Sequence, residues 1–165
     1  MTDMRRLALL DNTVLTNFAL VGQDKLPLRL WPGACTTPAA LGEYLAGVAT
    51  GALPAGAWQD LSQIALTEEE EASVAGIAAH LGTGERSCLA VAISRSGALV
   101  SDDLPARKWA REHGIAVTGT VGILLACVRQ NYLSLEQANA LLTAMIAAGY
   151  RSPVESLDAL VRGTP

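Results

Sequence analysis

The chain has few aromatic side chains, few thiols, few imidazoles and little charge. Seven of its 165 residues are Trp, Tyr or Phe, against 28 Ala and 25 Leu. A β-sandwich would need more aromatic and β-branched residues, so this composition favours closely packed helices. Cysteine occurs three times, at Cys35, Cys88 and Cys127, with no CxxC and no Cys/His pairing. That excludes a zinc site or a disulfide framework and leaves reduced, buried thiols as the expectation. The two histidines, His80 and His113, fall at a helix end and before a turn glycine, poor positions for catalysis. No GxSxG or Walker loop is present. Long hydrophobic runs are missing too. Leu7 to Leu10 stops at Asp11, too short for a signal peptide or a membrane span, so a soluble cytoplasmic protein is expected.

What is present is enough apolar sequence for a core. Half of the chain is hydrophobic and 17% charged, which excludes disorder. Short apolar runs alternate with helical patterns. Strands are expected at Leu7 to Leu10, Ala34 to Thr36, Ala98 to Ser101 and Ile115 to Thr118. Helices are expected through Phe18 and Leu20, from Thr37-Pro38 to Gly47, and from the capping box at Thr67 to about His80. Further helices follow over Glu85 to Ser94, Leu104 to Glu112, Val121 to Gln130, Leu135 to Ala148 and Val154 to Val161. Trp58 to Leu66 is ambiguous, part strand and part connection. The alternation describes one α/β domain over residues 1–165, with a small parallel sheet covered by helices.

In such a sheet, ligands bind beyond the carboxyl ends of the strands. Asp11 ends the first strand, and Asp102-Asp103 follow the third. Glu85 opens a helix, and Glu43 shares a helix face with Ala39, Ala40, Ala46 and Gly47, small residues that would leave room for a ligand. Four acids from four segments at one end of a sheet suit a hard divalent cation, Mg²⁺ or Mn²⁺. Each acid also has a structural role open to it. Asp11, Asp102 and Asp103 stand where helix caps stand, Glu85 is favoured by a helix dipole, and Glu43 could be an exposed glutamate.

Taken together, Leu9-Leu10-Asp11-Asn12-Thr13, Asn17, Thr37-Pro38 with Glu43, Leu81-Gly82-Thr83-Gly84-Glu85, Val100-Ser101-Asp102-Asp103 with Ala106-Arg107, and Thr118-Gly119-Thr120-Val121-Gly122 resemble a PIN domain. They are closest to a bacterial and archaeal branch related to VapC-type toxins. The resemblance runs in order from about Arg6 to about Tyr150. It implies a three-layer α/β/α fold with a central parallel sheet and a metal-dependent ribonuclease centre. Asp11, Glu43, Glu85 and Asp102 match the family's four acids, with Asp103 able to share or replace the last. Glu85 stands where many relatives have Asp. Thr13 and Asn17 match supporting polar positions. Two divalent ions would activate a water and stabilise the leaving oxygen of an RNA phosphodiester.

The net charge of −4 argues against a basic nucleic-acid binder, but its placement weakens the objection. Glu68 to Glu71 put four acids at one helix start, where they are expected to cap and be solvated. Arg86, Arg95, Arg107, Lys108, Arg111 and Arg129 gather around the last acids. Arg86, Arg107, Lys108 and Arg111 are the candidates for holding RNA phosphates. Trp109 could stack on a base, or simply pack. The partners in view are RNA, an antitoxin lying in the acidic groove, and a second copy of the chain through the apolar helices from Leu135 to Val161, faces that could equally complete the core. The alternatives are a non-catalytic PIN-like module binding RNA or protein, and a haloacid-dehalogenase-type phosphohydrolase with Asp11 as nucleophile.

Overall fold

The structure, a computed structural model, describes residues 6–163. Its strands are β1 (Ala8–Leu10), β2 (Ala34–Thr36), β3 (Ser62–Gln63), β4 (Ala98–Val100) and β5 (Ala116–Thr118). Its helices are α1 (Asn12–Leu20), α2 (Lys25–Leu30), α3 (Pro38–Ala49), α4 (Glu68–Val74), α5 (Thr83–Ser94), α6 (Leu104–Glu112), α7 (Thr120–Arg129), α8 (Leu135–Ala147) and α9 (Asp158–Arg162). All strand pairs are parallel, in the order β3-β2-β1-β4-β5.

Three-residue strands suffice because both sheet faces are covered. Along β1, Ala8 and Leu10 face one apolar cluster and Leu9 the other, as period-two alternation demands. The first cluster joins Val14, Leu15 and Phe18 of α1 to Ile123 and Leu124 of α7 and Leu142 and Met145 of α8. The second joins Leu89 and Val91 of α5 to Ala106 and Ala110 of α6. This is a three-layer α/β/α fold, and α8, one of the helices whose apolar faces could complete the core or meet a second copy, contributes Ala138, Leu142 and Met145 to its core. The three cysteines are buried and free.

Several expectations need correction. A fifth strand, β3, lies in the ambiguous stretch and adds to the β2 edge. The short helix α2 was not expected, since Pro27 interrupts it. The helix opened by the Thr67 capping box ends at Val74, short of His80, because the chain bends to bury Ile77 and Leu81 in the second cluster. The last helix covers only Asp158–Arg162. Ahead of it, the Ser152 hydroxyl accepts from Val154 N and the Ser156 hydroxyl from Asp158 N, which keeps that stretch in turns. Glu70 is not a solvated cap. It is 2% exposed and takes a two-pronged ion pair from Arg95, with both N···O distances 2.7 Å. Nor do the small residues beside Glu43 clear a space: Ala40 packs in the core, and a side chain at Gly47 would strike Leu53.

The sheet's connectivity reverses direction between β1 and β4. β1 runs outward to β2 and β3, whereas β4 leads the other way to β5. Such a switch point opens a crevice at the carboxyl ends of its two strands. Asp11 ends β1 and Ser101-Asp102-Asp103 end β4, so four polar residues flank that crevice.

Candidate active site

Four of the five acids each hold a helix N-terminus. Asp11 is the N-cap of α1, and its Oδ1 accepts from Thr13 N at 2.6 Å and from the Thr13 hydroxyl at 2.7 Å. Asp103 is the N-cap of α6 and accepts from Ala106 N at 2.7 Å. The other two caps come from a distance. α5 and α7 open on Gly82 and Gly119, which have no capping side chain. Glu43 Oε1 reaches across from α3 to accept from Gly84 N at 2.8 Å. Asp102 Oδ1 accepts from Thr120 N at 2.9 Å. The capping roles open to these acids in the sequence are thus occupied, and they draw the acids together. Four helix N-termini, each with unpaired N–H groups and positive dipole character, converge on one place.

The glycines are there for contact. A Cβ on Gly84 would lie 2.7 Å from Glu43 Oε2, and one on Gly119 would lie 2.5 Å from both Asp102 Oδ1 and Arg107 Nη1. A Cβ on Gly82 would collide with Glu85 Oε2.

Asp11 is 1% exposed. Its Oδ2 accepts from the Ser101 hydroxyl, which also accepts from Asp103 N at 3.1 Å and so links the two strand ends. Burial pushes Asp11 from 3.8 up to about 7, against the downward pull of Ser101 and Thr13, and the charge of Glu85 adds to the rise. Glu85 is also raised, by burial first and then by the neighbouring charges of Glu43 and Asp103. The N–H groups of Glu85 and Gly82 pull the other way. Even so, Glu85 Oε2 is buried with no hydrogen-bond partner among the described residues. Asp11, Glu43, Glu85 and Asp103 therefore form one electrostatically coupled acidic group.

Asp102 is different. Its Oδ2 accepts from Asn17 Nδ2 at 3.0 Å and from the Thr120 hydroxyl, and its Oδ1 accepts from Tyr150 OH at 3.1 Å besides Thr120 N. Asn17 Nδ2 also reaches Thr120 Oγ1 at 3.1 Å. Thr13 joins the two sides, since its hydroxyl donates to Asp11 and accepts from Asp102 N at 2.9 Å. Thr13 and Asn17 thus stand against Asp11 and Asp102.

Beside the acids lies a cleft of about 1010 Å³ between α1, α6, the start of α7 and the loop at Gly149 to Pro153. Arg107, Arg111 and Arg151 line it. Burial and the facing charge of Arg111 both lower the pKa of Arg107. The other two expected phosphate ligands stand elsewhere: Arg86 donates to Val74 O at 2.8 Å, and Lys108 pairs with Glu112 at 3.9 Å. Trp109 stacks on His113 at 3.7 Å and packs against the second cluster. Sequence reasoning missed Tyr150 and Arg151. Their only local signal is a Tyr-Arg pair after a glycine with φ +111°.

Carboxylates alone make up the acidic group, and hard divalent cations prefer such donors. Among the described residues, no three acid, imidazole or thiol groups stand in metal-holding geometry. The unpartnered Glu85 Oε2 and the mutual repulsion of the acids nevertheless fit a cation at this group. A parallel α/β sheet with coupled acids at its switch point defines the chain as a three-layer α/β/α protein with an acidic site at the strand ends. A family model described as a PIN domain matches residues 7–164, and the protein belongs to that family of nucleases, which generally use divalent metals. No curated protein matches the chain. Among the described residues, no helix is long and apolar enough to cross a membrane.

Proposed function

We propose that the protein is a divalent-metal-dependent endoribonuclease, using Mg²⁺ or Mn²⁺, and that Asp11, Glu43, Glu85 and Asp103 hold the metal. The observation that carries this reading is the buried, unpartnered oxygen of Glu85 amid three other carboxylates. Such a grouping is costly by itself and becomes favourable with a cation. A bound divalent ion supplies an activated water and charge neutralisation at the phosphate. The chain's own residues do the positioning. Thr13 and Ser101 fix both oxygens of Asp11, and the N-terminus of α5 holds Glu43 against Gly84. Asp103 is fixed by capping α6. Asp102 accepts two hydrogen bonds on each oxygen, against three in all for Asp11, and so orients the site without serving as a ligand.

No side chain here is set up as a nucleophile. Asp11 is buried and accepts three hydrogen bonds, which, with the family assignment, sets aside a phosphoaspartate mechanism. The resemblance of the motifs to VapC-type toxins supports a place as the toxin of a toxin–antitoxin pair, with the antitoxin covering the acidic group.

The test is cleavage of single-stranded RNA with Mn²⁺ or Mg²⁺. Wild type should cleave, and Glu85→Gln, which keeps the side chain's shape, should not. Metal-independent cleavage, or an active Glu85→Gln protein, would overturn the reading. RNA binding without any cleavage would assign the non-catalytic alternative. Growth arrest on expression, lost in Glu85→Gln, is the expected result for a toxin.

A further inference from the structure

We propose that Asp102 is a positioning residue that, through Tyr150, fastens the loop from Gly149 to Pro153 as the far wall of an RNA track whose phosphate ligands are Arg107, Arg111 and Arg151. This rests on the nuclease reading for where the scissile bond lies, but the track itself is argued from the cleft. Asp102 accepts four hydrogen bonds from three separate elements: Asn17 on α1, Thr120 twice on α7, and Tyr150 on the loop. A carboxylate saturated in this way has no oxygen left for a metal, yet it ties the two sides of the cleft together. The Tyr150 hydroxyl is the only hydrogen bond among the described residues that joins this loop to the end of β4.

The three guanidiniums point to an anion. Arg107 is anchored by donating to Ser101 O at 2.9 Å and feels the opposing charges of Arg111 and Asp102, and among the described residues neither Arg107 nor Arg111 closes an ion pair with a carboxylate. Arg111 and Arg151 are exposed and make no hydrogen bond or ion pair among the described residues. All three line one cleft. Guanidinium forks match phosphate oxygens. The cleft also presents Val117, Val121 and the Tyr150 ring, apolar surface for unstacked bases, which favours a single strand over a duplex. Asp103, one of the acidic group, lines this cleft as well.

The experiment is fluorescence anisotropy of a labelled single-stranded oligoribonucleotide in EDTA, where no cleavage occurs. Melting curves confirm that each variant folds. Arg111→Ala and Arg151→Ala should each weaken binding about 5- to 10-fold at low salt. Each should also reduce the slope of log affinity against log salt by about 0.7. Tyr150→Phe keeps the ring and removes only the tether, and should weaken binding about 3-fold. Combined with Arg151→Ala it should add almost nothing, because Tyr150 acts through the loop that carries Arg151. Unchanged binding in the arginine variants, or full additivity of Tyr150→Phe with Arg151→Ala, overturns the proposal. A polyglutamate probe that binds as tightly as RNA, with the same arginine dependence, assigns the cleft to an acidic protein and overturns it as well. Arginine-dependent binding in a protein that never cleaves RNA upholds the track and sinks only the nuclease reading. Cleavage without arginine dependence does the reverse.

Discussion

Replacing Asp11 with asparagine removes a charge that the metal-free protein holds at a cost. The amide keeps an oxygen for the two donors of Thr13 and turns its NH₂ toward the Ser101 hydroxyl, which can accept. In the unfolded chain Asp11 releases its proton near pH 4, whereas in the fold it keeps it to about 7. Between those values the unfolded state binds fewer protons, so the metal-free protein loses stability as pH rises through that window. The rise of about three pH units at about 1.36 kcal/mol each sets the cost above pH 7 at about 4 kcal/mol. Asp11→Asn should therefore stabilise the protein in EDTA at pH 8 by about 2–4 kcal/mol, raising Tm by roughly 5–12 °C. Thermal unfolding followed by circular dichroism at pH 8 and at pH 4.5 makes the comparison. At the lower pH the two proteins should melt together. Mn²⁺ at pH 8 should recover the wild type by binding to its folded state and leave the variant nearly unmoved. An Asp11→Asn protein that is less stable at pH 8, or a gap indifferent to pH, refutes the reasoning.

Other expectations concern single contacts. Arg95 holds Glu70 down at about 2, so their ion pair contributes fully above pH 4.5 and is lost as pH falls toward 2. With Arg95 one-third exposed, Glu70→Gln should cost about 2 kcal/mol in urea unfolding at pH 7 and little at pH 2.5. Gly84→Ala puts a methyl against the Glu43 carboxylate, and should lower RNA cleavage about 100-fold while the fold survives in circular dichroism. Asp103→Asn should lower kcat and leave RNA affinity in EDTA equal or tighter. Asp102→Asn should instead loosen RNA binding and lower Tm, so the reverse pattern would exchange the roles assigned to the two residues.

Much of this fold was legible because its signals are local. Apolar runs that stop at Asp11, Thr37 or Asp102 mark strands emptying into helix caps, and the capping box at Thr67 is written in adjacent residues. Strand β3 was legible only as a stretch part strand and part connection, since Ser62 and Gln63 are polar, exposed and paired to the edge of β2. Asp11, Glu85, Asp102 and Asp103 were singled out by asking which residues end strands or open helices, and Glu43 by the small residues on its helix face. That rule could not tell Asp102 from Asp103. Adjacent side chains leave a strand end in different directions, and only the packed neighbours show that the charge of Asp103 acts on Glu85 while Asp102 accepts from Tyr150. The basic candidates fared unevenly for the same reason. Arg86 and Arg95 are near the acids in sequence, but α5 turns them toward α4, whereas Arg151 arrives at the cleft from the far end of the chain.

The order β3-β2-β1-β4-β5 also bears on when the site comes into being. Asp11 meets Ser101 at a separation of 90 positions, and Asn17 meets Asp102 at one of 85. Closing loops of that length is entropically expensive and slow compared with winding the helices between them. During synthesis the first half of the protein can form β1, β2 and their helices, but it holds only Asp11 and Glu43. The acidic group is complete only after β4 has slid in beside β1, and the arginine wall only after Arg151 has left the ribosome. A nascent chain therefore carries the acidic group and the arginine wall together only after Arg151 has been made.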